Sequence, residues 1–243
     1  MNQFSEQKQI NTAVIFDMDG VLIDSMPMQH ESWVVTAEKE GMSISIADVM
    51  KLSGHTSRNV IDKLWSPHRT LTQDEILRID DEKEREYRRI LSKEFPVMPG
   101  AASLIKLLVD NGIDIAIGSS SSKENVEFVI EQMQIEPYLR CFVHGSDILD
   151  NNVVQGKPEP DIFILAAKCL GREPHECLVI EDARAGVIAA KRAGMKCIAF
   201  CSRDHTQYEY EGEYEGYKYR ADAIVNSLEE ITLQMVHDLL AVP

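Results

Sequence analysis

Ala13-Val14-Ile15-Phe16-Asp17-Met18-Asp19-Gly20 is the stretch on which the reading of this chain turns. Four apolar residues form the short run that a strand buried on both faces presents. It stops abruptly in a carboxylate, and a glycine three residues later lets the backbone turn away. Such a strand would deliver two carboxylates, Asp17 and Asp19, to its carboxyl end. The pair suits metal-assisted phosphoryl chemistry: one carboxylate can attack phosphorus, a second can pass a proton, and a hard cation such as Mg2+ lets anions approach one another. Taken alone, the same two residues could equally cap a helix or turn.

Similar apolar runs recur along the chain. Thr12 to Phe16, Ile113 to Ile117, Cys141 to His144, Leu178 to Ile180, Lys196 to Phe200 and Ala223 to Val225 read as strands. Between them, Ala101 to Asp110, Lys123 to Met133, Asp161 to Leu170 and Ala183 to Ala193 read as helices. This alternation predicts an α/β fold with a doubly wound parallel sheet, Rossmann-like in kind. Residues 26–92 break the pattern: no strand is evident, and helical periodicity with dense charge runs through Ile76 to Leu91. They are expected to form a small helical cap inserted into a core made of residues 1–25 and 93–243, over the sheet edge where such folds bind ligands.

Three further motifs sit at predicted strand ends. Glu181-Asp182 follow Leu178-Val179-Ile180 and make a second acidic pair, which would repel the first without a cation between them. Ser119 opens a run of four serines before the helix at Lys123, where hydroxyls and amides could hold a phosphate. Lys157 lies in Gly156-Lys157-Pro158-Glu159-Pro160, a loop stiffened by prolines. Each has an ordinary alternative: capping for the acids, an N-cap for the serine, a solvated surface for the lysine. Their shared placement at strand ends of one sheet is what joins them.

In these residues the chain resembles the haloacid dehalogenase superfamily, in the group with β-phosphoglucomutase and small sugar-phosphate phosphatases. The motifs are Phe16-Asp17-Met18-Asp19-Gly20-Val21, the Ser119 strand end, Gly156-Lys157-Pro158, and Val179-Ile180-Glu181-Asp182-Ala183-Arg184-Ala185-Gly186 with Ala189-Ala190-Lys191-Arg192-Ala193-Gly194. The resemblance implies Asp17 as nucleophile and metal ligand, and Asp19 as general acid/base whose backbone carbonyl also reaches the metal. It implies Asp182 as a further ligand and Glu181 as an assistant through water. Ser119, with the amide of Ser120, would bind the phosphoryl group, and Lys157 would bridge nucleophile and phosphate. In the insertion His55, Arg58 and Lys83 are candidate substrate-binding residues. The implied activity is magnesium-dependent hydrolysis of a small phosphorylated metabolite, a sugar or polyol phosphate. The alternative is a β-phosphoglucomutase-like mutase. Against the mutase, Gln29 stands where many relatives place a histidine, with His30 beside it, and Gly54-His55-Thr56-Ser57-Arg58 is one residue longer than the mutase loop. A non-catalytic member would be expected to lack Asp17, Asp19 or Asp182, and all three are present.

Composition narrows the partners. The chain has 243 residues, 44% of them hydrophobic, and a net charge of −15 that disfavours nucleic acid and anionic membrane as partners. The N-terminal residues lack a signal-peptide pattern and no apolar run is long enough to span a bilayer, so a cytoplasmic, monomeric protein is expected. Five cysteines without CxxC spacing are expected to be reduced thiols. Asp204 to Arg220 holds five of the seven tyrosines, alternating with glutamate and glycine, which permits a hairpin or a solvated loop.

Overall fold

β1 (Ala13–Phe16) is buried at every residue, as its unbroken apolar run requires. The computed structural model describes residues 12–52, 57–145, 156–201 and 210–241. After β1 the chain forms α1 (Met26–Lys39), α2 (Ile46–Met50), α3 (Ser57–Leu64) and α4 (Gln73–Leu91). Helices and strands then alternate: α5 (Ala101–Asp110), β2 (Asp114–Gly118), α6 (Lys123–Met133), β3 (Leu139–Val143), α7 (Asp161–Leu170), β4 (Cys177–Glu181), α8 (Arg184–Arg192) and β5 (Lys196–Phe200). β6 (Glu211–Tyr214), β7 (Tyr217–Arg220), β8 (Ala223–Val225) and α9 (Leu233–Leu240) complete the described chain.

The sheet order is β3-β2-β1-β4-β5-β8, and every neighbouring pair is parallel. This is the doubly wound α/β sheet expected from the sequence, with each predicted strand in place. Strand order runs outward in opposite directions from β1 and β4, so the topological switch point, where such sheets hold ligands, lies between them. The register sets the site: Phe16 is level with Ile117 of β2 and with Ile180 of β4. The next residues along each strand, Asp17, Gly118 and Glu181, therefore emerge at one edge. Beneath that edge, Ile15 and Val179 pack with Phe163 and Ala166 of α7 and Val187 and Ala190 of α8. Full burial of one large apolar side chain in such a core is worth about 1.5–3 kcal/mol.

By its internal contacts the chain divides into two compact units, one comprising Met1–Leu22 and Val97–Pro243, the other Ile23–Pro96. The second unit is helical and has its own apolar centre, which includes Trp33, Ile61, Trp65 and Ile79, with the two indoles edge-on at 6.0 Å. α4 starts in a capping box, Thr72 and Glu75 each bonding the other's backbone amide, which explains why a strongly charged stretch begins as a helix where it does.

The described part of the tyrosine-rich segment is a hairpin. β6 and β7 pair antiparallel with Tyr214 opposite Tyr217, and Glu215 and Gly216 close the turn with φ of 49° and 79°. Positive φ at both turn positions is the two-residue geometry that matches strand twist. The expectation that the cysteines are all free thiols is corrected: Cys141 of β3 and Cys169 of α7 form a disulfide, while Cys177, Cys197 and Cys201 are free. The two cysteines are 28 residues apart and meet only because α7 packs on β3, a tertiary contact that spacing does not encode. Among the described residues no helix is long and apolar enough to cross a membrane.

Candidate active site

Asp17 continues the β1 ladder by one bond, its amide donating to the Ile180 carbonyl at 3.0 Å, so the side chain is fixed by the sheet itself. Lys157 Nζ donates to Asp17 Oδ1 at 2.6 Å and to Glu181 Oε1 at 2.8 Å. The side chains of this trio are almost wholly buried: 10% of Asp17, 9% of Lys157 and 1% of Glu181 remain exposed. The lysine that reads singly as a surface residue is thus interior, its ammonium also 4.8 Å above the Phe163 ring.

Glu181 is held at both oxygens, because Oε2 accepts from the Ala183 amide at 2.6 Å. Gly186, in the first turn of α8, makes that possible: a Cβ there would lie 1.6 Å from Glu181 Oε1. Asp182 is equally dependent on a glycine. A Cβ on Gly20 would stand 2.0 Å from Asp182 Oδ2, and Gly20 has a φ of 85° that side chains other than glycine adopt only with strain. The two acidic pairs therefore interlock through two backbone positions kept bare.

One carboxylate oxygen from each of Asp17, Glu181 and Asp182 lies within 4.8 Å of the others, all three residues buried. Burial, followed by the charges of Glu181 and Asp19, pushes the Asp17 carboxyl up to about 7 despite Lys157. Burial and the neighbouring Glu181 and Asp17 likewise raise Asp182 well above the usual carboxylate range. Burial opposes the charge of Lys157, yet Asp17 and Glu181 hold its ammonium above the ordinary lysine value. Among the described residues, three buried carboxylates thus face one buried ammonium. A cluster of hard oxygens with excess negative charge, packed against bare glycine positions, fits a divalent cation such as Mg2+.

Asp19 is half-buried, and its Oδ2 accepts from Ser121 Oγ at 2.6 Å. Ser119 is buried, its amide bonded to the Val143 carbonyl, and its Oγ accepts from the Ser121 amide at 3.1 Å. Ser120 is exposed. Ser122 caps α6, accepting from the Asn125 amide. Of the four serines, then, one is the plain cap, and Ser121 is a site residue that sequence reasoning missed. An extended run entering a helix places alternate residues on one side, which could have paired Ser121 with Ser119.

The candidates in the helical unit have different surroundings. Arg58 is exposed and bonds Asp62 at 3.1 Å and Gln73 at 2.7 Å. Lys83 is buried rather than solvated, donating to Gln29 Oε1 at 2.5 Å and Glu84 Oε1 at 2.8 Å, with the Trp33 and Tyr87 rings nearby. His55 lies outside the described residues. Tyr210 is a second missed residue: fully buried, it donates its hydroxyl toward the Asp182 carbonyl at 2.8 Å and the Phe200 carbonyl at 3.2 Å. Its place among many tyrosines offered no signal.

A family model of haloacid dehalogenase-like hydrolases matches residues 12–194, which spans both acidic pairs, Ser119 and Lys157. The chain belongs to that family. It is 32% identical over 243 residues to a bifunctional riboflavin kinase/FMN phosphatase of Arabidopsis thaliana, covering 96% of this chain and 58% of the relative. It is 28% identical over 232 residues to the β-phosphoglucomutase of Bacillus subtilis, covering 93% of this chain and 94% of the mutase. A crystal structure of a family IA, variant 3 hydrolase from Entamoeba histolytica superposes with a TM-score of 0.79 at 26% identity, covering 95% of this chain and all of that one. The chain spans little more than half the length of the plant phosphatases it matches.

Proposed function

We propose that this chain is a magnesium-dependent phosphatase that hydrolyses a small phosphorylated metabolite, a sugar or polyol phosphate, through an aspartyl-phosphate on Asp17. The observation that carries the reading is the buried Asp17, its backbone amide held by the Ile180 carbonyl, its carboxylate bonded by Lys157 and facing Glu181 and Asp182. An Asp17 oxygen attacks phosphorus while the ester P–O bond breaks and Asp19 gives its proton to the leaving oxygen. Water then attacks the phosphoryl group, losing a proton to Asp19; the acyl-phosphate bond breaks, releasing phosphate and restoring the Asp17 carboxylate. Ser119 Oγ already accepts from the Ser121 amide, so it has its hydroxyl proton to offer a phosphoryl oxygen, with the Ser120 amide beside it. Lys157 balances the charge of nucleophile and phosphate together. Asp17, Asp182 and the Asp19 carbonyl would hold Mg2+, and Glu181, engaged at both oxygens, would support it through water. When bound, the ion supplies the positive charge that lets the carboxylate meet the phosphate dianion.

The mutase reading draws on the near full-length likeness to the Bacillus subtilis β-phosphoglucomutase. In this chain Gln29 occupies the position of that group's histidine and is tied to Lys83, a neutral amide in place of a titratable imidazole, which favours water as final acceptor. Incubation with β-glucose 1-phosphate and a trace of the bisphosphate decides between them. Hydrolysis predicts inorganic phosphate in step with substrate loss; rapid glucose 6-phosphate formation without it establishes the mutase.

A further inference from the structure

The proposed chemistry leaves unused a fully buried hydroxyl that reaches the acidic edge from another part of the chain. Tyr210 stands just before β6, and its carbonyl accepts from the Ala221 amide at 2.9 Å, so it is stitched into the base of the β6–β7 hairpin. Its hydroxyl meets two carbonyls, those of Asp182 and Phe200, the residues at the carboxyl ends of the adjacent strands β4 and β5. A phenol has one proton to give. The distances of 2.8 and 3.2 Å rank the Asp182 carbonyl as the principal acceptor. The register between these strands ends at Glu181 and Ala199, so Asp182 lies one residue past the paired stretch, where the Tyr210 hydroxyl meets its carbonyl.

The hairpin is in turn fixed to the helix that follows Asp182. Arg184 donates to the Glu213 carbonyl at 3.2 Å and lies over the Tyr214 and Tyr219 rings; Arg192 lies over Tyr214 and Tyr217. Tyrosines on both strands and arginines at both ends of α8 thereby hold the hairpin against the segment that carries Asp182. Only then is a hydroxyl at its base stationed to grip the Asp182 backbone.

We infer that Tyr210 is a positioning residue for Asp182, and that the β6–β7 hairpin is a brace that holds the second acidic pair in its cation-binding arrangement. The inference rests on the reading of Asp182 as a magnesium ligand and gives the tyrosine-rich excursion a role in the site. Removing the hydroxyl takes the 2.8 Å bond from the Asp182 carbonyl. The carboxylate next to it then samples more positions, and the cation is held less tightly. Losses of about tenfold in metal affinity are usual when a group supporting a ligand is removed.

The test is the magnesium concentration that half-saturates the rise in Tm, measured without substrate in wild type, Tyr210→Phe and Ile105→Val. The last removes one methylene from the buried face of α5 and controls for plain destabilisation. The expected result is a midpoint about tenfold higher in Tyr210→Phe and unmoved in Ile105→Val. Turnover of Tyr210→Phe at saturating magnesium should recover toward wild type with KM for the phosphate ester unchanged. A Tyr210→Phe midpoint within twofold of wild type, with Tm lowered equally at all magnesium concentrations, overturns the brace and leaves the metal reading intact. Absence of any magnesium-dependent rise in wild-type Tm overturns both.

Discussion

Asp17 stands where a carboxylate is expensive to ionise and where the proposed chemistry needs it ionised. Among the described residues Lys157 is the one cation bonded to it, and that ammonium is shared with Glu181. Repulsion within the acidic cluster therefore weighs on the metal-free fold and is relieved when a cation arrives. Asp17→Asn is isosteric, so the expected outcome has two parts. Phosphate release falls by at least about a thousandfold, because an amide cannot form the acyl phosphate. The metal-free variant is also more stable than metal-free wild type at pH 8, by about 2 kcal/mol, roughly half of what a rise from 3.8 to about 7 allows. Urea denaturation in a chelator reads the second effect. A variant that loses activity but gains no stability would show that Lys157 already compensates the nucleophile's charge.

At the scale of elements, the loop between β2 and α6 divides its serines among separate tasks. Ser122 starts the helix, Ser119 lies buried at the strand end, and Ser121 bonds the Asp19 carboxylate at 2.6 Å. If Ser121 orients the proton donor, its loss should matter most when the leaving group needs a proton. Ser121→Ala is thus expected to lower kcat about tenfold on an alkyl phosphate, within the range that general acid catalysis supplies, and to leave p-nitrophenyl phosphate little affected. Equal losses on both esters would remove Ser121 from that role. The same loop shows how far sequence reading reaches. Strand ends were legible because buried parallel strands are continuous apolar runs with abrupt polar stops, and level register then brings Asp17 and Glu181 together. Helix starts were legible where a cap side chain announces them, as at Ser122. Contacts set by tertiary packing were not: which serine turns toward Asp19, that Lys83 is buried under two aromatic rings, that Cys141 meets Cys169, and that one tyrosine among seven grips Asp182.

For the molecule as a whole, a net charge of −15 raises the cost of gathering further carboxylates, and stability should depend jointly on pH and cation. The sign follows from Asp17, whose carboxyl is raised from 3.8 to about 7 in the metal-free fold. A group whose folded pKa lies above its unfolded value adds stability that is complete below about 3.8 and is lost as pH climbs to about 7, because the unfolded chain sheds the proton first. Asp182, raised in the same direction, adds to the loss. Metal-free protein should accordingly lose stability from pH 5 to pH 8 through this cluster. Magnesium competes with those protons for the same oxygens, so it binds weakly at pH 5 and fully at pH 8. Thermal unfolding at both pH values, in chelator and in millimolar magnesium, gives the comparison. The magnesium-induced rise in Tm is expected to be several degrees at pH 8 and close to nothing at pH 5, and in Asp17→Asn the rise at pH 8 should shrink because one ligand and its charge are gone. A rise of equal size at both pH values would mean that the ion binds elsewhere on this acidic surface and not among Asp17, Glu181 and Asp182.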